Sequence, residues 1–343
     1  MLPGLALAVM VALAARLVHH ALPPAVGTVV GEVLFAVVLG LVVGNAVRLP
    51  DSLRPGIRFS FQTVLRIAIV LLGASLSFQQ VVATGSAALL IIVILMLLAL
   101  AAAHLLGRAA RVPARLATLI GVGTAVCGNS AIAATAPVIQ ARDEEVSFAI
   151  ATNTLFGTVA VILYPIVGRA LGFTDATYGT WAGTAVNDTS QVVAAGFAFS
   201  EAAGDVATTV KLTRNALMGL VIVGIGMAYA SGPGTTGSKP RVPAWKRIQQ
   251  SLPLFVVGFL LMAVLHSVGA LAWASRALGV NVVTLLRDVS RVLILVALAG
   301  VGLSTRFDAM RRIGWRPFLL GLVLAVLTSG TSLLLIHFME SRI

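Results

Sequence analysis

The stretch "GTAVCGNSAIAATAP", Gly123 to Pro137, decides how this chain is read. It lies inside a long apolar tract, yet its middle is Gly128-Asn129-Ser130 and it ends on a proline. Gly121, Gly123 and Gly128 each weaken a helix by about 1 kcal/mol relative to alanine. A glycine beside polar side chains at bilayer depth is where a helix can unwind. Its freed N–H and C=O groups must then face protein or a water-filled cavity, because hydrocarbon cannot satisfy them. The start of the second half-helix would present N–H donors and partial positive charge, which suits an anion. Small residues that let helix backbones approach are the alternative reading. Asn129 argues against packing alone, since packing does not require an amide. Broken helices of this kind form midplane sites in many transporters.

A second string, "GTAVNDTSQ", Gly183 to Gln191, echoes the first. Asn187, Asp188, Thr189, Ser190 and Gln191 are consecutive polar residues at the centre of an apolar tract. An aspartate at a helix centre costs about 2.5–3.5 kcal/mol to insert, so it must face the bundle interior or water. Asp188 is the first functional candidate: a proton carrier, a Na⁺ ligand with neighbouring oxygens, or the partner of a buried cation. An inert ion pair is the bland alternative.

The surroundings make lipid the solvent. Of 343 residues, 59% are hydrophobic and 10% charged, against about 25% charged in soluble domains. Runs such as "AALLIIVILMLLALAAAHLL" (87–106) have the length of a spanning helix, and the alternation of barrel strands is absent. The expected fold class is an all-α polytopic membrane protein in a single domain, 1–343. About eleven transmembrane helices are expected by this length rule, near 2–19, 25–47, 57–79, 86–107, 114–138, 146–170, 177–199, 206–230, 251–273, 282–305 and 317–339. The first lacks a basic leader and is read as a retained helix. The polar run 231–250 is expected to be a cytoplasmic linker. "LIGVG" (119–123) and "LAGVG" (298–302) lie five segments apart, the odd offset that inverted five-helix repeats require (25–170 and 177–339). Segments five and ten would then be discontinuous crossing helices, with segment seven outside the crossing.

Basic residues test the order. Arg48, Arg54 and Arg58; Arg108, Arg111 and Arg115; Lys239, Arg241, Lys246 and Arg247; and Arg306, Arg311, Arg312 and Arg316 all fall on one side. The other side carries Arg142, Arg276 and Arg342 with Asp143, Glu144, Glu145, Glu201 and Asp205. The positive-inside rule places the N-terminus in the cytoplasm and the C-terminus outside. This placement also argues against nucleic acid as the reason for the net charge of +12.

Other polar groups complete the candidate set. Lys211, Arg214 and Asn215 share one face of segment eight, either snorkelling or lining an anion path. Arg66, halfway along segment three, is a candidate partner for Asp188 or an anion. Asp288 and Arg291 are spaced for a local pair, and Glu32 is a lone acid. The single Cys127 excludes an intrachain disulfide and reads as a small buried residue. No nucleophile elbow, P-loop or metal-ligand spacing is visible, so the chain does not read as an enzyme.

The strings "RPGIRFSFQTVLRIAIVLLGASLSF", "CGNSAIAATAPVI", "WAGTAVNDTSQVVAAGFAF" and "VKLTRNALMG" resemble the sulfate-exporter (YeiH-type) family of bacterial inner-membrane proteins. The resemblance implies a fold related to bile-acid and sodium–proton carriers and a place in the bacterial inner (plasma) membrane. It also implies export of sulfate or a related sulfur oxyanion or sulfonate. Members often carry His where this chain has Asn187, which removes an imidazole relay and leaves Asp188. The expectation is a secondary transporter working by alternating access. Gly128, Asn129, Ser130, Asn187, Thr189, Ser190 and Gln191 would bind a small anion, and Arg66, Lys211 and Arg214 would supply positive potential. Asp188 would couple transport to H⁺ or Na⁺, with no other cofactor. The expected partners are that anion and the lipid bilayer, with a homodimer left open. The rivals are a passive anion channel, a sodium-coupled organic-anion symporter, a membrane enzyme acting on lipid phosphates, and a structural or signalling role.

Overall fold

Helix α4 (Phe78–Ala109) shows why the elements form as they do. Ser77 opens it with a reciprocal cap: its Oγ accepts from the Gln80 N–H at 3.1 Å, and its N–H donates to Gln80 Oε1 at 2.9 Å. The following run is rich in Leu, Ile and Ala. Ile92, Leu95, Ala99 and Ala103 are buried, while Leu90, Leu97 and Leu105 lie on the outside. A helix apolar on both faces belongs in hydrocarbon. The same logic recurs through an all-helical chain.

The computed structural model describes residues 1–21, 32–230, 254–305 and 314–340. The helices are α1 (Leu2–Ala21), α2 (Glu32–Ala46), α3 (Asp51–Ser75), α4, α5 (Ala114–Ala125), α6 (Asn129–Thr135), α7 (Asp143–Ala170) and α8 (Asp175–Ala185). They continue as α9 (Thr189–Phe199), α10 (Glu201–Ala216), α11 (Met218–Ala230), α12 (Leu254–Ser267), α13 (Ala270–Leu278), α14 (Val282–Ser304) and α15 (Trp315–Glu340). The expected linker 231–250 lies outside the described residues. Within α3, residues Ser60–Val64 form a π-helical turn facing α14.

Helices occupy the described part of every expected segment, but not all are full-length spans. Among the described residues, six helices are long and apolar enough to cross a membrane, with α10 and α11 taken together as one, or seven if the α12–α13 pair, bent by 72°, counts as one span. Segment two is described only from Glu32; segments five and seven fall short because each is interrupted, and segment ten because Arg287, Asp288 and Arg291 occupy its first half. The expectation that segments five and ten cross as a broken pair is corrected. Helix α14 runs unbroken over Val282–Ser304, and the interruption opposite that of segment five belongs to segment seven.

The helices gather into two bodies. In one, α4 through α11 pack with α15 around the interrupted helices. In the other, α1, α2, α3, α12 and α13 pack around α14. Here backbones touch: a Cβ on Gly40 of α2 would lie 2.5 Å from the Ala299 carbonyl of α14. An apolar seam joins the bodies, with Leu65, Ile69 and Leu298 on one side and Val161, Val193 and Leu212 on the other. Helix α9 crosses this seam to reach α2 and α14, and α12 leans on α4.

Candidate functional site

The two polar strings meet. Segment five stops at Ala125 and restarts at Asn129; segment seven stops at Ala185 and restarts at Thr189. Gly128 makes the first break sterically possible. Its φ is +67°, which L side chains rarely adopt, and a Cβ there would sit 2.9 Å from Asp188 Cα. The breaks therefore touch, backbone against backbone.

Each break leaves carbonyls at the end of one half-helix and N–H groups at the start of the next. Helix α10 supplies the donors that meet the carbonyl ends. Lys211 Nζ donates to Val126 O at 2.9 Å, to Val186 O at 3.0 Å and to Asn187 O. Arg214 donates from Nε to Ala125 O at 2.7 Å and from an Nη to Thr184 O at 2.6 Å. Two cations thus close the negative poles of α5 and α8, where a helix dipole favours positive charge. Lys211 is 0% exposed and Arg214 3%. Three acceptors around Nζ use all three protons of an ammonium.

Asp188 serves the opposite poles. Its Oδ1 accepts from Ser190 N–H at 3.0 Å and Ser190 Oγ–H at 2.6 Å, capping α9. Its Oδ2 accepts a longer bond, 3.4 Å, from Asn129 N–H at the start of α6. One carboxylate faces the positive ends of both second halves.

Helix α7 completes the wall. Asn153 Nδ2 donates to Asn129 Oδ1 at 3.0 Å, and Asn129 Nδ2 to Thr154 Oγ1 at 3.2 Å. Gln191 Nε2 donates to Thr154 O at 3.0 Å and Thr158 Oγ1 at 3.2 Å. Asn215 Nδ2 reaches Thr189 Oγ1 at 3.1 Å. Four buried amide oxygens, of Asn153, Asn187, Gln191 and Asn215, have no hydrogen-bond partner among the described residues.

The residues singled out in the sequence separate into groups. Gly128, Asn187, Gln191, Lys211 and Arg214 are buried, whereas Asn129, Asp188, Thr189 and Ser190 are half-buried and Ser130 is exposed. Lys211 and Arg214 neither snorkel nor line an open path, because their polar ends are enclosed by carbonyls. The N–H ends expected to hold an anion face Asp188 instead. Arg66 is not brought to the site: it is exposed on α3, its guanidinium 5.9 Å from the Phe255 ring centroid. Glu32 lies 3.6 Å from Arg16, and Cys127 is buried with its Sγ 3.2 Å from Met218 Sδ. The sequence reading missed Asn153, Thr154 and Thr158. The signal was present in "ATNTLFGT" (151–158), where two threonines four residues apart flank one face of a helix.

Fold and composition define the class: a multi-pass, all-helical membrane protein. A family model described as "Conserved hypothetical protein 698" matches residues 3–321, and the chain belongs to that family. It is similar to a "UPF0324 membrane protein" of Clostridium tetani (strain Massachusetts / E88), 34% identical over 319 residues, which cover 89% of this chain and 88% of the relative. It is also 34% identical over 340 residues to the UPF0324 membrane protein Atu0671 of Agrobacterium fabrum, covering 97% and 93% of the two chains. With the UPF0324 membrane protein FN0533 of Fusobacterium nucleatum it shares 32% identity over 305 residues, covering 85% and 86%.

Proposed function

We propose that this protein is a secondary transporter of a small anion, working by alternating access in the bacterial inner membrane. The sequence resemblance favours export of sulfate or a related sulfur oxyanion or sulfonate. The N-terminus lies in the cytoplasm and the C-terminus outside. The observation that carries the reading is the meeting of two helix breaks whose four poles are served by three charged side chains. A purely structural bundle gains nothing from two interruptions at this depth, each of which must be satisfied at a desolvation cost.

The side chains divide the work. Asn129, Ser130, Thr189 and Ser190 form the open rim that meets the solute, with Gly128 keeping the rim low. Asn187 and Gln191 form the floor. Lys211 and Arg214 hold positive potential beneath it without touching the solute, and Arg66 takes no part. Asp188 is the coupling group: it alone of the three charges is half-exposed, and among the described residues its Oδ2 holds only the long bond to Asn129. The unpartnered amide oxygens nearby favour a coupling cation, H⁺ or Na⁺, beside it.

The test is a thermal-shift screen of purified protein against sulfate, sulfite, thiosulfate, taurine and small carboxylates, with and without sodium, followed by flux into liposomes. Stabilisation by one anion, and flux that follows an imposed proton or sodium gradient and is lost in Asp188→Asn, supports the reading. Flux independent of both gradients indicates a passive channel, and wild-type ion dependence in Asp188→Asn removes Asp188 from coupling.

A further inference from the structure

The crossing does not use one group of charges. Glu201 and Asp205 lie one turn apart at the start of α10, and Arg287, Asp288 and Arg291 lie along the first turns of α14. Arg287 bridges Glu201 at 2.8 Å and Asp205 at 3.5 Å. Arg291 contacts Glu201 and stands 3.4 Å from Asp288. Helix α10 belongs to the body that holds the crossing and α14 is the centre of the other. The ion pairs therefore span the seam that is otherwise closed by apolar side chains. Asp205 Oδ1 and Arg287 Nε are buried with no hydrogen-bond partner among the described residues, so the cluster is incompletely satisfied.

We propose that the Glu201–Asp205–Arg287–Arg291 cluster is a releasable gate that holds the two helical bodies together at one end of the seam and so closes that side of the crossing. Apolar contacts along the seam lack direction and tolerate sliding. An ion cluster has one favoured register, and opening it exposes its charges to water, which solvates them. Closure and release then differ by little free energy, as a gate requires. Its position on α10 matters, because that helix also carries Lys211 and Arg214. The gate and the crossing share one rigid rod, with the first gate residue ten positions ahead of Lys211. The proposal deepens the alternating-access reading given above, since it names what holds one of the two access states.

Cys127 packs its Sγ against Met218 within the crossing body, so the reporter is placed at Thr189, half-buried at the start of α9, as Thr189→Cys in a Cys127→Ser background. This full-length protein, wild type at the gate, is treated in liposomes with a charged, membrane-impermeant thiosulfonate reagent from either side, and the rate of modification is measured. The side on which the cluster lies is fixed separately, by labelling Glu201→Cys in a Cys127→Ser background. Arg287→Gln, Arg291→Gln and their combination are compared with wild type. Loss of a partly exposed ion-pair network is expected to speed labelling about fivefold from the cluster side only. In wild type, 1 M NaCl should act in the same direction by screening the cluster, which keeps the proposal testable if a variant fails to fold.

A double variant with wild-type elution and melting, labelled within about twofold of wild type, overturns the gate. Faster labelling from both sides equally overturns it too, because that reports general loosening. Labelling reads access without requiring flux, so failure of the transport assay leaves this result interpretable by itself.

Discussion

Replacing Lys211 by methionine tests the account of the crossing most directly. The side chain keeps its length and loses three donors, leaving the carbonyls of Val126, Val186 and Asn187 without that partner. Each buried acceptor left unpaired costs about 1–3 kcal/mol, a gross loss of about 3–9 kcal/mol. Two effects reduce it. Methionine no longer requires a charge to be desolvated, and a water can enter to satisfy one carbonyl. A net loss of about 3–5 kcal/mol, within the gross range, is the expected value here. The assay is unfolding in mixed micelles by added dodecyl sulfate, followed by the fluorescence of Trp181 with the other three tryptophans replaced by phenylalanine in both proteins. This residue is buried and stacked on Tyr164 with ring centroids 4.1 Å apart. A Lys211→Met protein less than about 1 kcal/mol weaker than wild type would show that the ammonium does not hold the two breaks, since even one orphaned carbonyl should cost more.

The remaining predictions contrast with this one. Asp188→Asn should change stability by less than about 1.5 kcal/mol, because the amide oxygen still caps α9, while ion-coupled flux falls to background; both are read on one preparation. Gly128→Ala should cost about 1–3 kcal/mol from the positive φ and the approach to Asp188, measured in the same micelle titration. Arg66→Gln should leave flux and stability at wild-type levels, checked side by side, because its guanidinium lies outside the crossing.

The class of fold was legible because hydrocarbon imposes a crude rule: long apolar runs become helices wherever they occur. The break in segment five was legible for the converse reason; in segment seven the polar run was read only as turned away from lipid, and the second break was expected in segment ten. Asn129 and Asp188 cannot sit at that depth in an uninterrupted, lipid-facing helix. What composition hid was pairing across the bundle. The echo between 119–123 and 298–302 suggested that segments five and ten cross, yet small-residue strings serve close packing equally well. In α14 the second string packs on α2 through Gly302, where a Cβ would meet Val37 O at 2.3 Å. Lys211 was read as either snorkelling or lining an anion path. Its extended side chain and the depth of the two breaks on α10 could not be measured along a one-dimensional sequence. Arg291 was paired with Asp288 by spacing, and that contact exists at 3.4 Å, but spacing along one helix is blind to Glu201 from another.

Interrupted helices in membrane proteins invite the thought of joints. Here each interruption is stapled from the side by the same two side chains of a neighbouring helix, and their facing surfaces leave no room for a methyl group at Gly128. A joint pinned at its carbonyl end and filled in the middle resists bending. Whatever displacement the molecule undergoes, residues 125–128 and 184–189 travel with α10 as one stiff cassette. Flexing is left to the connections between helices, outside the place where the charges reside.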